Sequence, residues 1–213
     1  MNSDDLIARL ADGVSPTPRA FVLKTLAAGL GGGVLVSAVL MALWLGVRPD
    51  LAEAAQGWPF WMKFFYTLAF ALAGFAVVER LARPGAAPGR RAVIEALPFA
   101  ILAALALWQW SAAPVSQHAH LFYGASHLVC PWRIAALSLP IFLGVLWSLR
   151  KLAPTRPLLA GLAAGLLAGA SGAFVYAFHC DESAAVFVAV WYTLGIAAMG
   201  ALGALLGRFV LRW

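Results

Sequence analysis

Long apolar runs separated by short polar gaps dominate the chain. Six runs approach the roughly 20 residues that a membrane-spanning helix needs, at 25–47, 60–78, 92–110, 134–149, 157–178 and 184–207, the fourth being the shortest. The gaps carry Pro49, Pro84, Gly89, Pro114, Pro131, Pro154 and Pro157, residues that interrupt or bound helices. The pattern predicts an all-α polytopic membrane protein, a bundle of six transmembrane helices over 25–213 preceded by a polar tail over 1–24. The first run is longer than the apolar core of a secretory signal and begins well inside the chain, so it reads as a retained anchor.

Composition agrees. Of 213 residues 63% are hydrophobic and only 11% charged, and the mean hydropathy is +0.86. That leaves too little polar surface to cover a water-soluble globule.

Charge sets the orientation, because short loops rich in Lys and Arg stay cytoplasmic. With both termini cytoplasmic, only Arg48, Lys63 and Arg133 of the 15 cations fall outside. Trp44, Trp58, Trp61, Trp108, Trp110 and Trp132 lie at the outer ends of the first four spans, and Trp147 and Trp213 mark the inner boundary, as an interfacial belt requires. A pI of about 9.9 therefore reflects contact with anionic headgroups and needs no direct nucleic-acid partner.

The tail has a design of its own. In "MNSDDLIARLADGVSPTP", Ser3 can cap a helix whose first turn holds Asp4 and Asp5, favourable at the positive end of the helix dipole. Leu6, Ile7, Leu10 and Val14 then form an apolar stripe opposite Asp5, Arg9 and Asp12, and Gly13, Pro16 and Pro18 end the helix. So short a helix is marginal alone. Its stripe wants a groove, and its aspartates favour a protein partner over a lipid surface.

Within the spans, Gly161, Gly165 and Gly169 recur at four-residue intervals, with Gly200, Gly203 and Gly207 in the last span and Gly29 and Gly33 in the first. Small residues so spaced let helix backbones approach closely in lipid. Ionisable residues within spans are limited to Lys63 and Glu95, each near a helix start and within reach of an interface, which argues against a proton relay. No dinucleotide, phosphate-loop, zinc-protease or serine-hydrolase motif occurs, so nothing points to an enzyme.

What remains is sulfur and imidazole. Cys130 closes the long outer loop 111–133, which also holds His118, His120 and His127; Cys180 lies in the short outer turn 179–183 beside His179. The extracytoplasmic side of a bacterial inner membrane is oxidising. A disulfide, a soft-metal site built from Cys130, Cys180, His127 and His179, or an oxidant-sensitive thiol pair would each suit. Arg133 is the candidate cation near Cys130. A static bridge, or two cysteines acting as small hydrophobes, would use the same residues, and His118 and His120 read as cover for a polar loop.

The stretches "DDLIARLA", "CPWRIAALSLP", "LRKLAPTRPLLAGLAAGLLAGASGA", "HCDES" with "WY" following, and the closing "LRW" together resemble the NrsF-like integral-membrane anti-sigma factors, bacterial negative regulators of an extracytoplasmic-function sigma factor of the sigma F type. The resemblance implies a six-helix inner-membrane protein that holds its sigma factor at the cytoplasmic face and releases it under periplasmic stress such as heavy metals. It assigns sensing to two periplasmic cysteines, matching Cys130 and Cys180, with no resident cofactor beyond a transient heavy-metal ion. The tail lacks the Cys/His motif of zinc-binding anti-sigma domains, so the inhibitory surface is expected on the tail helix, with Asp4, Asp5, Leu6, Ile7 and Leu10 as candidate contacts, on the basic loops, or on both. The competing class is a small membrane thiol oxidoreductase or soft-metal permease, which would want a CxxC motif or ligands along the spans.

Overall fold

Proline marks the start of three of the long helices. Pro59, Pro131 and Pro157 each sit in a first helical turn, where the missing N–H is no loss. The computed structural model describes residues 3–12, 20–86, 89 and 91–212, with the backbone alone for residues 8–12, 91, 92 and 95. Val14, Gly13, Pro16, Pro18 and Trp213, and the side chains of Arg9, Leu10, Asp12 and Glu95, lie outside that description.

In chain order the helices are α1 (Ser3–Asp12), α2 (Phe21–Trp44), α3 (Leu51–Ala54), α4 (Trp58–Leu81), α5 (Arg91–Ala112), α6 (Val115–Tyr123), α7 (Cys130–Leu152), α8 (Pro157–Tyr176) and α9 (Ala185–Val210), the last containing a π-helical turn at Val188–Tyr192. Among the described residues there is no strand. Five helices, α2, α4, α7, α8 and α9, are long and apolar enough to cross a membrane; in α5 the apolar portion is Ala96–Ala112. Some boundaries run wider than the apolar runs, α7 reaching back to Cys130 because proline is accommodated in its first turn, while α2 and α8 end earlier, at Trp44 and Tyr176.

The arrangement follows from side-chain size. α8 is built mostly of alanine and glycine and is buried almost all round, against α9, α7 and α4. α2 packs on α7, while α5 lies outermost, on α4 and the start of α9. On the α8–α9 seam, a Cβ at Gly161 would lie 2.2 Å from the Gly203 carbonyl oxygen, and one at Gly165 would lie 2.1 Å from that of Met199. On the α2–α7 seam, a Cβ at Gly144 would lie 2.2 Å from the Gly29 carbonyl oxygen. Without glycine the backbones could not meet at these distances.

Three buried hydroxyls are spent on backbone carbonyls, as a water-free interior favours. Ser148 donates to Thr25 O at 2.9 Å across the α2–α7 seam, Ser138 to Ile134 O at 2.7 Å, and Thr67 to Lys63 O at 2.8 Å.

The expected polar loop 111–133 is largely helical. Pro114 starts α6, and His118 stacks on Trp110 with ring centroids 4.0 Å apart. Its Nε2 faces the Trp110 and Ala113 carbonyls, so this histidine closes the α5–α6 corner.

Candidate functional site

The site is assembled where the turn between α8 and α9 folds over the start of α7. After Tyr176 the chain makes one last helical turn, the amides of His179 and Cys180 both donating to Tyr176 O, and then runs extended to Ala184. An extended segment cannot satisfy its own carbonyls, and here two cations from distant parts of the chain do so. Lys63 of α4 donates through Nζ to Cys180 O at 2.9 Å and also to Glu182 O. Arg48 adds a bond to Cys180 O at 3.2 Å while its guanidinium grips Asp50 through Nε and Nη2, at 2.7 and 2.6 Å.

The same turn is tied to the opposite segment. Glu182 Oε1 accepts from the Ala125 and Ser126 amides at 2.7 and 3.0 Å. Ser126 O in turn accepts the Cys130 amide at 2.9 Å. The two cysteine-bearing segments are thus clamped together from outside.

Inside the clamp both cysteines are free thiols and both are buried. Their side chains share a hydrogen bond, Cys130 donating to the Cys180 sulfur. That bond, together with the positive charge of Lys63 and against the cost of burial, pulls the Cys180 thiol down to about 6. The Cys180 thiol is thus shifted toward its thiolate, with the Cys130 thiol beside it. Tyr192, the last residue of the π-helical turn, is wholly buried; its hydroxyl has no hydrogen-bond partner at ordinary length and lies toward the Cys180 sulfur. Arg48 is raised and the exposed Asp50 lowered chiefly by their mutual hydrogen bond.

Of the residues singled out from sequence, Cys130 and Cys180 are brought together. His127 and His179 do not complete a set: among the described residues no three His, Cys, Asp or Glu side chains are grouped so as to hold a metal ion. His179 is already committed, Nδ1 to Gly46 O at 2.9 Å and Nε2 to Arg133 at 3.3 Å, which fits a ring proton on Nδ1. His127 packs between Tyr123 and Trp191, edge-on to the first and tilted on the second, its Nδ1 buried without a partner. Arg133, the cation expected beside Cys130, turns instead to His179 and Tyr176.

Lys63 is the residue the sequence reading misplaced. It sits one and a half turns into α4 and is only 1% exposed, serving the Cys180 turn rather than an interface. A lone lysine in an uncharged span, on the same side as both thiols, was the signal. A polar cleft of about 240 Å³, bounded by Arg48, Phe60, Lys63, Asp181 and Glu182, opens beside it.

Chemically, a thiolate and a thiol in contact can close a disulfide or offer two sulfur donors to a soft ion. In α1, Asp4 and Asp5 occupy the first turn, and Leu6 and Ile7 are exposed.

Comparison with known proteins covers the chain from end to end. The family model described as NrsF, negative regulator of sigma F, matches residues 10–213. The chain is 44% identical to the anti-sigma-F factor NrsF of Caulobacter vibrioides (strain NA1000 / CB15N), with all of both chains covered. It is 40% identical to the probable anti-sigma-F factor NrsF of Azospira oryzae, again over the whole of both. No solved structure matches. Both relatives are named as regulators rather than enzymes, and the chain belongs to the NrsF family of negative regulators of sigma F.

Proposed function

We propose that this chain is an anti-sigma factor of the bacterial inner membrane, with six spans and both termini cytoplasmic. It sequesters an extracytoplasmic-function sigma factor of the sigma F type at the cytoplasmic face and releases it when heavy metal or oxidant acts on Cys130 and Cys180. The observation that carries the sensing half is the contact between these two thiols, from segments 50 residues apart, at the end of the bundle that holds Arg48, Lys63 and Arg133. The names of the full-length relatives support the anti-sigma half. The five long apolar helices and the apolar Ala96–Ala112 segment support six spans.

Transmission follows from where the cysteines lie. Cys130 begins α7, and Cys180 precedes α9. Bridging the sulfurs, or placing a metal ion between them, re-sets the outer ends of two helices that both pack on α8. Glycine seams carry that displacement toward the loops 79–91 and 150–156 and the α1 tail, where Asp4, Asp5, Leu6, Ile7 and Leu10 are the candidate contacts. The metal or oxidant acts only through its different affinity for the sigma-bound and sigma-free states.

The test is co-purification from native membranes of the wild type and of Cys130→Ser and Cys180→Ser, before and after cadmium or diamide. A sigma factor that leaves the wild type and stays with both variants supports the reading. A sigma factor absent under every condition sinks the anti-sigma half; equal release from all three proteins sinks the thiol half.

A further inference from the structure

Among the described residues Lys63 forms no salt bridge with a carboxylate. Its side chain is buried, yet among the described residues the ion pairs are Arg48 with Asp50 and Arg83 with Glu79. The nearby carboxylate of Glu182 is spent on the Ala125 and Ser126 amides. Two carbonyls solvate the ammonium, from Cys180 and Glu182, but they bring no net charge. A buried ammonium is stable when an anion stands close by. The acidic groups in electrostatic reach, all on the turn that Lys63 already holds, are the Cys180 sulfur and the Asp181 and Glu182 carboxylates; of these the sulfur is the buried one and acts on Lys63 most strongly.

The geometry points to Lys63 as the positioning residue of the thiol pair: its buried ammonium fixes the Cys180 turn and supplies the counter-charge that makes Cys180, rather than Cys130, the sulfur that reacts first. This rests on the reading of the pair as a sensor and names how its two thiols differ. Cys130 lies at the head of α7, with the other sulfur as its near partner, and takes the part of the second, resolving thiol. The groups around the Cys180 sulfur are Lys63 from α4, Cys130 from α7, Tyr176 from α8, Tyr192 from α9, and Arg48, Asp181 and Glu182 from the adjoining turns. Of these, Lys63 is the buried cation, and it lines the polar cleft together with Arg48, Asp181 and Glu182. The low titration range of Cys180 is what such an arrangement produces.

The role is tested with iodoacetamide on the reduced, full-length protein in membranes together with its sigma factor. The thiolate sulfur forms a C–S bond as iodide leaves, so the rate follows the ionised fraction at each cysteine, read by peptide mass spectrometry from pH 5 to 10. In the wild type, Cys180 reacts before Cys130 with a midpoint near 6. Lys63→Gln keeps a donor for the carbonyls and removes the charge while the Cys130 hydrogen bond remains; a rise of about one unit in the Cys180 midpoint, and about a twofold slower reaction at pH 7, is expected. Lys63→Arg keeps the midpoint low, which loss of structure alone would not do. An unchanged midpoint in Lys63→Gln overturns the assignment. So does a wild-type midpoint in the ordinary thiol range near 8.5, or reaction at Cys130 first, and neither of these needs a variant that folds. Sigma-factor release by diamide is followed in the same samples. If the midpoints move as expected while the wild type never releases, the sensor reading fails and the role of Lys63 stands.

Discussion

Glu182 reaches across the outer surface of the bundle to Ser126, its Oε1 accepting both the Ser126 amide and the Ser126 hydroxyl at 3.0 Å. A third bond, from the Ala125 amide at 2.7 Å, completes the grip. Gly124 makes it feasible: its φ of +53° is a backbone conformation that glycine adopts freely, and a Cβ there would fall 2.5 Å from the carboxylate. A single carboxylate thus sets how far the segment bearing Cys180 stands from the head of α7.

Removing that grip loosens the contact between the two cysteine-bearing segments without touching a sulfur. Glu182→Ala is expected to cost on the order of 2 kcal/mol, the scale of a few partly exposed charge-assisted hydrogen bonds. The loss concentrates in the outer segment, so hydrogen exchange at the Ala125 and Ser126 amides accelerates by about an order of magnitude or more while the α8 amides keep their protection. Unchanged exchange at those two amides would show that the carboxylate contributes nothing to the clamp.

The glycine seam gives a contrast within one residue type. Gly165→Ala drives a methyl to 2.1 Å from the Met199 carbonyl oxygen, and backbone cannot swing aside as a side-chain tip can. It should destabilise the bundle by about 1–3 kcal/mol or prevent its assembly. Gly31→Ala meets nothing within 4 Å and should be neutral or stabilising by about 0.5–1 kcal/mol, because alanine is the better helix former. Thermal unfolding of the two variants in the same detergent checks both, and equal melting temperatures would remove the seam from the account of stability.

The long apolar helices were legible because a run of some 20 apolar residues has few other uses. Their ends were harder. Pro131 reads as an interruption, yet proline in a first turn costs no hydrogen bond, so α7 extends through it to Cys130, as α4 extends through Pro59 to Trp58. α6 escaped notice because "VSQHAHLFY" mixes polar and apolar residues over barely two turns. The two cysteines stood out by type and by their place at the same end of the apolar runs. Lys63 did not, since its partners are carbonyls almost 120 residues away, and a backbone carbonyl leaves no mark on a sequence. Arg133 drew attention by adjacency to Cys130, and adjacency along a helix start says little about where a long side chain points.

Folding stability should carry the signature of the ionised thiol. Cys180 titrates near 6 when folded and near 8.5 in an unfolded chain. Between those values the unfolded state holds a proton that the native state has lost, so stability rises with pH across that window. The contribution is absent below about 6 and complete above about 8.5. Melting temperatures of the reduced protein should therefore climb more steeply from pH 6 to pH 8.5 in the wild type than in Cys180→Ser. Parallel slopes would mean that Cys180 is protonated in the fold.

The α1 helix is where sigma-factor capture should be most open to change. Leu6 and Ile7 are 42% and 62% exposed, side by side on a helix whose first turn is acidic, and an apolar pair left in water is more valuable to a partner than to the helix itself. If they dock in a groove of the sigma factor, placing a carboxylate there leaves an unpaired charge in a desolvated contact, a loss of about 2 kcal/mol or more. Leu6→Asp and Ile7→Asp should each weaken capture by at least tenfold, measured by titrating labelled sigma factor onto the protein in nanodiscs. Neither touches the helix seams, so the melting temperature of the bundle should stay within a degree or two of the wild type. Asp4→Asn with Asp5→Asn should lower the association rate and its salt dependence more than the final affinity, as charges at the edge of a contact do. Full-strength capture by both apolar variants would move the inhibitory surface from α1 to the basic loops, and charge reversals at Arg150 and Lys151 would then be the next residues to read.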